Sequence, residues 1–304
     1  RSDMVLQAYY TKGFLSTIGV QDIYRVASSP YQHIQILDLD LYGRTLVLDG
    51  VIQSSSNDEK HYHESLVHPA LLAHPNPRSV FIAGGGEGAT AREVLRFKCV
   101  ERCVMVDIDE VVVNCSKKYL TSHHDGAFDD PRLELVIDDA EAWIHGHEER
   151  FDVIILDLAD PLEEGPCWRL YTKEFYDFLK TRLTPNGIFV TQCGPSGPLL
   201  CKDIFSPVQH TLKSTFKYVR SYSSHIPSFR DTYGFTMASN DLDLSVLTPD
   251  VVDQRIGERV KGVNVFYDGD AHVHMFSLPK TVRMIFEKET RVGTLENPQS
   301  FMEL

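Results

Sequence analysis

Carboxylate side chains follow several apolar segments in the middle of the chain. Glu87 lies in the glycine-rich stretch "GGGEG", and three later apolar segments are followed by the pairs Asp107 and Asp109, Asp138 and Asp139, and Asp157 and Asp160. Carboxylates that crowd together repel one another unless a cation lies between them. If the apolar segments are neighbouring strands, the sequence predicts a cleft for a positively charged ligand.

The apolar segments have the pattern of buried parallel strands. From residue 78 onward, "SVFIAG", "CVMVDID", "LELVIDD", "FDVIILDL" and "GIFVTQC" alternate with helical segments such as "TAREVLRF" and "EVVVNCSKKYL". Strands that are apolar along their length belong to a parallel sheet covered on both faces. We therefore predict an α/β fold with a doubly wound, Rossmann-like sheet of the methyltransferase type, whose ligands bind at the carboxyl ends of the strands.

A smaller antiparallel sheet is predicted before this domain. Residues 31–56 alternate apolar and polar side chains, with the turn signals "YG" and "DG" between the alternating runs. This pattern is typical of β-hairpins. We predict an N-terminal β-hairpin domain over residues 1–60 and a catalytic domain over residues 61–304, opened by a helix in "EKHYHESLVHPALLA".

The last third of the chain carries weaker signals. "FKYVRSYSSHIPSFRDTYGFTMAS" contains two apolar runs around a proline, which predicts an antiparallel strand pair at one edge of the sheet. After residue 240, "DGDAHVHMFSLPKTVRMIF" is expected to pack back on the domain, with His272 and His274 on a strand. His272 with His274, or His61 with His63, could form a metal pair, but neither pair has a nearby third ligand. We predict no metal site.

Composition excludes several classes of function. The 304 residues carry a net charge of −13, which repels nucleic acid and attracts cations. No run approaches the roughly 20 apolar residues that span a bilayer. The six cysteines contain no CxxC pair, as expected for free thiols in a reducing compartment. We expect a cytoplasmic protein without nucleic-acid or membrane partners.

Glu87 separates the possible ligands of the glycine loop. Such a loop fits dinucleotides and adenosyl-sulfonium compounds, and Asp107 at the next strand end suits the ribose of either. A carboxylate at position 87 would repel a pyrophosphate, and it would also repel the carboxylate of S-adenosylmethionine. The ammonium of decarboxylated S-adenosylmethionine would instead gain up to roughly 4 kcal/mol at about 4 Å before desolvation. This favours an aminopropyl donor. Asp109 and Asp139 also suit helix N-caps, the role preferred for Asp109.

The motifs resemble those of the spermidine synthase family of aminopropyltransferases. "LVLDGVIQSS", "HPNPRSVFIAGGGEGATAREVL", "VDIDEVVV" and "DLADP" carry the resemblance, which extends over roughly residues 5–240. Within the family, "DLADPLEEGPCWRLYT" and the glutamate of the glycine loop are most similar to plant thermospermine synthases. The resemblance implies a homodimer or homotetramer assembled through the N-terminal sheet.

The resemblance also implies roles for individual residues. Asp160, in "DLADP", stands at the family's proton acceptor. The residues that we assign to donor binding are Gln32, His63, Gly85, Glu87, Asp107, Asp138, Asp139 and Asp157. Those that we assign to acceptor binding are Gln53, Tyr62, Glu164, Trp168 and Phe229.

Departures from the family pattern lie at these binding positions. His63 replaces a usual glutamine, Glu87 is one methylene longer than the common aspartate, and Asp107 is one shorter than the common glutamate. Phe229 stands near a position where a tyrosine usually touches the acceptor amine, and "PLEEGP" is longer than the usual loop. These changes favour spermidine over putrescine as the acceptor, with thermospermine as the product. Spermidine or spermine synthesis remains the alternative.

The expected reaction is a direct displacement. A neutral amine attacks the carbon beside the donor's sulfonium, and 5'-methylthioadenosine leaves. No cofactor is expected, because decarboxylated S-adenosylmethionine is a co-substrate that already carries its leaving group. Asp160 would orient the amine and accept its proton, with Asp157 assisting. Glu163 and Glu164 could bind the distal nitrogens, and Trp168 either packs the loop down or lines the amine channel.

Three other classes of protein share parts of this pattern. A methyltransferase has the same sheet and an adenosyl-sulfonium donor, but Glu87 and "DLADP" count against it. A nicotinamide dehydrogenase fits less well, because its pyrophosphate would meet Glu87. A polyamine-binding protein that has lost its activity would not need Asp160.

Overall fold

A five-stranded antiparallel sheet forms the N-terminal part of the computed structural model, which describes residues 4–11, 13–161 and 166–299. Asp49 and Gly50 both have positive φ angles, of 47° and 79°, as the hairpin turn predicted at "DG" requires. The pattern of alternation located the last three strands, whereas the first two were not placed. The strands pair in chain order: β1 (Val5–Thr11), β2 (Phe14–Ser28), β3 (His33–Leu39), β4 (Gly43–Leu48) and β5 (Val51–Ser55).

A seven-stranded sheet forms the larger part of the molecule and confirms the predicted Rossmann-like fold. Its strands are β6 (Ser79–Gly84), β7 (Arg102–Asp107), β8 (Leu133–Ile137), β9 (Phe151–Asp157), β10 (Leu183–Pro195), β11 (Tyr218–Ile226) and β12 (Asp231–Ser239). Their order is β11-β12-β10-β9-β6-β7-β8, with five parallel strands from β10 to β8. From β6 the chain first adds β7 and β8 on one side, and it then returns to add β9 and β10 on the other side. The switch point therefore lies between β6 and β9.

Helices cover both faces of this sheet. They are α1 (Glu59–Ala73), α2 (Ala89–Leu95), α3 (Glu110–Tyr119), α4 (Thr121–His124), α5 (Ala140–His145), α6 (Lys173–Lys180), α7 (Phe205–Lys213), α8 (Pro249–Arg259), α9 (Gly269–Phe276) and α10 (Lys280–Lys288). One core joins α1, α2, α8 and α9 to the sheet, and a second joins α5, α6, α7 and α10 to its other face. Among the described residues, no helix is both long and apolar enough to cross a membrane.

Helix α1 shows how the sequence accommodates a proline inside a buried helix. Pro69 has no N–H group, so the carbonyl of Ser65 loses its usual helical partner. The Tyr222 hydroxyl on β11 donates to that carbonyl at 2.8 Å. A side chain of the sheet therefore replaces the missing backbone hydrogen bond and ties α1 to β11.

The C-terminal segments pack as predicted, with one correction. β11 and β12 form the predicted antiparallel edge pair, joined by the short 3-10 helix Pro227–Phe229. His272 and His274 lie in α9, so their predicted strand was wrong. His272 is buried, and its Nδ1 lies 2.8 Å from the Tyr267 hydroxyl. Apolar contacts with the sheet and α8 stabilise this helix, a tertiary effect that the short pattern "AHVHMF" does not reveal.

The two sheets contact each other beside the strand ends. Ile34 and Ile36 of β3 pack with Val112 of α3 in a shared apolar cluster. On the other side, the Tyr10 hydroxyl of β1 donates to Asp231 of β12 at 2.8 Å. The N-terminal sheet therefore closes one side of the cleft above β6 and β9.

Candidate active site

A cavity of about 600 Å³ lies at the carboxyl ends of β6, β7 and β9. Most of the residues that the sequence assigns to the site line it: Gln32, Gln53, Tyr62, Gly85, Glu87, Asp107, Asp139, Asp157, Asp160 and Phe229. His63, Asp138 and Trp168 are not among the lining residues. Glu163 and Glu164 lie outside the described residues. The predicted rim of carboxylates is therefore a single site.

The glycine loop allows the strand ends to approach closely. Gly84 pairs with Asp157 across β6 and β9 and has a φ of +84°, and a Cβ there would collide with the Asp157 carbonyl oxygen. A Cβ at Gly86 would lie 2.8 Å from Oδ2 of Asp107. Because these positions lack side chains, the carboxylates of β7 and β9 can face the same cavity.

Glu87 is held by a buried chain of alternating charges. Its Oε1 lies 2.9 Å from Nε2 of His63, whose Nδ1 lies 2.8 Å from Oε2 of Glu59. Arg92 donates to both oxygens of Glu59, at 2.8 and 2.9 Å. His63 thus lies behind Glu87 and is not among the residues that line the cavity, and its contact with the donor stays a prediction.

The charge of His63 is fixed by its neighbours. Burial would lower the pKa of His63, but the hydrogen bonds and charges of Glu59 and Glu87 outweigh burial and raise it to about 10. Burial would raise the pKa of Glu87, and His63 lowers it instead. At neutral pH, Glu87 is a carboxylate paired with an imidazolium. The spacing of the sequence gave no sign of this pair, because the two residues are on different elements.

Three of these groups lie close enough to be considered as metal ligands. One ligand atom from each of His63, Glu87 and Asp157 lies within 4.8 Å of the others. A metal ion would have to displace the proton on Nε2 of His63, and the pKa of about 10 favours that proton at neutral pH. His61, which was considered with His63 as a possible metal pair, stacks on Phe266 with ring centroids 4.5 Å apart.

Asp157 is the last residue of β9 and lines the cavity. The Tyr62 hydroxyl donates to its Oδ1 at 2.8 Å, and the Thr90 hydroxyl donates to its Oδ2 at 2.6 Å. Burial and the nearby charge of Glu87 raise the pKa of Asp157 to about 6. A carboxyl group with this pKa is ionised at pH 7 and is well tuned to exchange a proton.

Asp160 is held on both of its oxygens. The Gln192 amide donates to Oδ1 at 3.0 Å, and the Tyr233 hydroxyl donates to Oδ2 at 3.2 Å. Burial raises the pKa of Asp160, and these two donors oppose the rise. Both partners line the cavity, and neither was predicted from the sequence. Gln192 could have been predicted, because "VTQC" places it at the end of a parallel strand. The sequence around Tyr233 has no feature that predicts its contact with Asp160.

The β7 side of the cavity has a second acidic group. Oδ1 of Asp107 accepts the Asp109 N–H at 2.8 Å, and burial raises the pKa of Asp107 to about 6. Asp109 caps α3, as predicted, by accepting from Val111 and Val112. It also accepts the Gln32 amide at 2.8 Å, which orients Gln32 toward the cavity.

Asp138 and Asp139 differ in position. Asp139 lines the cavity and caps α5 through the Ala142 N–H at 3.1 Å. Asp138 is exposed, and its Oδ1 accepts the Asp139 N–H at 2.8 Å. The predicted pair is therefore one cavity residue and one turn residue, because successive side chains at a strand end point in different directions.

Aromatic rings form one wall of the cavity. Tyr62 packs against Phe229 with ring centroids 5.7 Å apart, and Phe229 packs against Tyr233 at 4.7 Å. Tyr9 and Tyr10 of β1 extend this wall. Phe229 has no hydroxyl, so it offers an apolar surface where its neighbours offer phenols.

The segment after Asp160 contributes the 3-10 helix Pro166–Tyr171. Arg169 on this helix lines the cavity and donates to Glu141 of α5 at 3.1 Å. The Arg169 guanidinium also lies 5.7 Å from the centre of the Trp168 ring, which is half-buried. Of the two roles predicted for Trp168, lining the amine channel is not seen. Cys167 and Leu170 of the same helix line the cavity instead.

The fold and the site define a Rossmann-like enzyme whose cleft is built for a cationic ligand. Residues 59–246 match the family model described as "Spermine/spermidine synthase domain", and residues 4–56 match "Spermidine synthase tetramerisation domain". The chain therefore belongs to the spermine/spermidine synthase family and is an aminopropyltransferase.

Relatives from distant organisms have similar identities to the chain. Thermospermine synthase ACAULIS5 of Arabidopsis thaliana is 48% identical over 283 residues, which cover 92% of this chain and 82% of that protein. Polyamine aminopropyltransferase 2 of Hyperthermus butylicus is 46% identical over 279 residues, which cover 92% and 91%. A crystal structure of spermidine synthase in complex with the transition state analogue AdoDATO has a TM-score of 0.87 at 29% identity and covers 95% and 97%. The family predicted from the motifs is confirmed.

Proposed function

We propose that the enzyme transfers the aminopropyl group of decarboxylated S-adenosylmethionine to spermidine, giving thermospermine and 5'-methylthioadenosine. One observation carries this proposal: the charge of Glu87 helps to raise the pKa of Asp157, and the Tyr62 hydroxyl donates to the same carboxylate. A cationic donor tail and an acceptor amine can therefore meet at one carboxylate.

The donor's adenosyl group fits the β7 side of the cavity. Asp107 faces the cavity at the end of β7, where it can accept the ribose hydroxyls. Asp139, Gln32 and Gly85 also line the cavity. We propose that Asp139 and Gln32 bind the base and the sugar and that Gly85 leaves room for the sulfonium group. The apolar lining next to them, suited to the adenine ring, consists of Ile108, Ala140, Leu158 and Leu170.

Glu87 and Asp157 are proposed to hold the donor's ammonium. S-adenosylmethionine itself would bring a carboxylate to the same place, where two ionised carboxylates repel it. Replacing Glu87 with glutamine is expected to raise KM for the donor about 10–100-fold, the range for a lost hydrogen bond to a charged group. Methylthioadenosine release measured against donor concentration tests this.

The matched control for that change is Glu134→Gln. Glu134 lies on β8 in an exposed ion pair with Arg102, so this variant removes the same charge from the surface. A donor KM that rises equally in both variants would show that net charge, and not the contact with Glu87, attracts the donor.

The acceptor is proposed to lie along the aromatic wall. Asp160 anchors the attacking nitrogen beside Tyr62, and Gln53 lies farther along the cavity for a second polar contact. Phe229, Tyr9 and Tyr10 offer surface for the methylenes of an amine longer than putrescine. The absence of a hydroxyl at Phe229 and the reach of the cavity to β1 support spermidine as the acceptor.

The proposed reaction needs no cofactor. The acceptor's lone pair forms a bond to the donor's methylene carbon while the carbon–sulfur bond breaks, and sulfur keeps the bonding electrons. The acceptor nitrogen, an ammonium at neutral pH, has to lose one proton for its lone pair to become free, and the product leaves as a secondary ammonium. We assign that proton to Asp157, because Asp157 is the carboxylate that contacts both the donor side and Tyr62, and Asp160 anchors the amine. This revises the role of proton acceptor predicted for Asp160.

Activity is expected to fall as the pH drops through about 6. Asp157 must be ionised to act, and the pKa of Asp157 is raised to about 6, as is that of Asp107. The acid limb of kcat/KM reports the free enzyme and should lie near pH 6. Bound donor ammonium favours the ionised form, so the limb of kcat should lie at lower pH. Limbs that coincide near pH 4 would contradict this assignment.

The acceptor is tested by comparing putrescine and spermidine in separate reactions with the decarboxylated donor. We expect kcat/KM for methylthioadenosine release to be higher with spermidine. A higher value with putrescine would favour the second candidate, a spermidine synthase, which is compatible with relatives named only as polyamine aminopropyltransferases. Binding of the donor without release in either reaction would overturn the proposed function.

The enzyme is also proposed to be a homo-oligomer. Several apolar side chains of the N-terminal sheet are exposed in the single chain, and residues 4–56 match the tetramerisation domain of the family. These side chains are Val5, Phe14, Leu15, Ile23 and Val26. A second copy packed on this sheet would bury them.

A further inference from the structure

Tyr233 lies beside Asp160, and its hydroxyl donates to that carboxylate. It lies on β12, opposite Pro195 of β10, where the register of the two strands shifts between Gln192 and Pro195. Gly194, inside this irregularity, has a φ of +68°, and a Cβ there would lie 3.4 Å from Oδ1 of Asp160. The irregular pairing thus brings the end of β10 and the start of β12 together around Asp160.

Asp160 is fixed between a rigid amide and this phenol. Oε1 of Gln192 accepts the Gly194 N–H at 2.7 Å, which turns the amide nitrogen of Gln192 toward Oδ1 of Asp160. The Tyr233 hydroxyl donates to the other oxygen at 3.2 Å. Without Tyr233, the carboxylate would be held on one side only and could rotate.

Tyr233 remains a donor throughout the working pH range. Burial and the charge of Asp160 raise the pKa of Tyr233 well above its usual value, so it stays protonated. Its hydrogen bond favours the ionised form of Asp160 and opposes the effect of burial. The other titratable groups that interact with this pair are Tyr10, Asp231, Arg230, Cys167, Tyr171 and Cys193.

We propose that Tyr233 is a positioning residue of the acceptor site, which turns the Asp160 carboxylate toward the acceptor amine and keeps it ionised. The inference rests on the proposed function, in which Asp160 anchors that amine. The Tyr233 ring, packed on Phe229, adds a rigid support for this hydroxyl. The position of the acceptor nitrogen then depends on β12 as well as on the loop that carries Asp160.

Tyr233→Phe removes only the hydroxyl and tests the proposal. We expect kcat/KM for the acceptor to fall about tenfold, as for a lost hydrogen bond to a charged group, while KM for the donor stays near its original value. The pKa of Asp160 should rise, because Asp160 loses a donor that favours its charge, whereas the acid limb of kcat/KM, assigned to Asp157 and Asp107, should stay near pH 6. Tyr176→Phe is the matched control, since the Tyr176 hydroxyl is buried without a partner in the described structure.

The outcomes separate this proposal from a packing role and from the proposed function. A fall in kcat/KM for the acceptor no larger than that of Tyr176→Phe would assign Tyr233 to packing and overturn the proposal. The pKa of Asp160 can also be measured without turnover, by NMR titration of carbon-13-labelled aspartate with Asp160→Asn for assignment. That pKa should rise in Tyr233→Phe even if the acceptor is not spermidine, and an unchanged value would overturn the proposal.

Discussion

Replacing Asp157 with asparagine is expected to lower kcat by about 10²–10⁴-fold, the usual contribution of a positioned proton acceptor. Asparagine keeps the size of the side chain, and its carbonyl oxygen can still accept from one of the two hydroxyls, Tyr62 or Thr90, that donate to the two oxygens of Asp157. It cannot take the proton that the acceptor nitrogen must lose. Methylthioadenosine release at saturating donor and acceptor measures the loss.

The comparison with Asp160→Asn distinguishes the two carboxylates. Asp160 is bonded by Gln192 and Tyr233 and is assigned to anchoring, so its loss should raise KM for the acceptor more than it lowers kcat. If Asp160→Asn instead produced the larger fall in kcat, proton acceptance would return to Asp160, as the sequence predicts.

Replacing Arg92 with methionine is expected to destabilise the protein by about 3–5 kcal/mol, the cost of leaving a buried charge without its partner. Arg92 donates to both carboxylate oxygens of Glu59, and both residues are buried. Burial would raise the pKa of Glu59, but His63 and Arg92 lower it to about 2, so Glu59 is charged at neutral pH. The midpoint of urea-induced unfolding measures the effect.

Arg78→Met provides the control for a lost ion pair. Arg78 pairs with Glu101 at 2.6 Å on the surface, where the two side chains are 59% and 61% exposed. Exposed pairs contribute about 0–1 kcal/mol, so this variant should unfold close to the original midpoint. Equal shifts in the two variants would contradict the view that the buried charges support Glu87.

Features fixed by local chemistry could be predicted from the sequence. The strands of the parallel sheet are apolar along their length, and Asp109 precedes α3 with the side chain of a helix cap. The carboxylates converge because the carboxyl ends of parallel strands meet at one edge of the sheet. The order of the strands is therefore enough to predict that Glu87, Asp107 and Asp157 lie in one cavity, even where the positions of the side chains are unknown.

Features that depend on packing between distant elements could not be predicted. His63 bonds Glu87 because α1 crosses the glycine loop, and Tyr233 reaches Asp160 through a register shift between β10 and β12. His272 was placed on a strand because a short run such as "AHVHMF" fits both periodicities. Its helix is set by the surface on which it packs.

Product analysis is the measurement that tests the proposed function most directly. The purified protein is incubated with decarboxylated S-adenosylmethionine and spermidine, and the products are separated by a method that resolves thermospermine from spermine. We predict thermospermine together with an equal amount of 5'-methylthioadenosine. Spermine as the product from spermidine would contradict it. So would a protein that makes no tetraamine from spermidine but converts putrescine to spermidine in a parallel reaction.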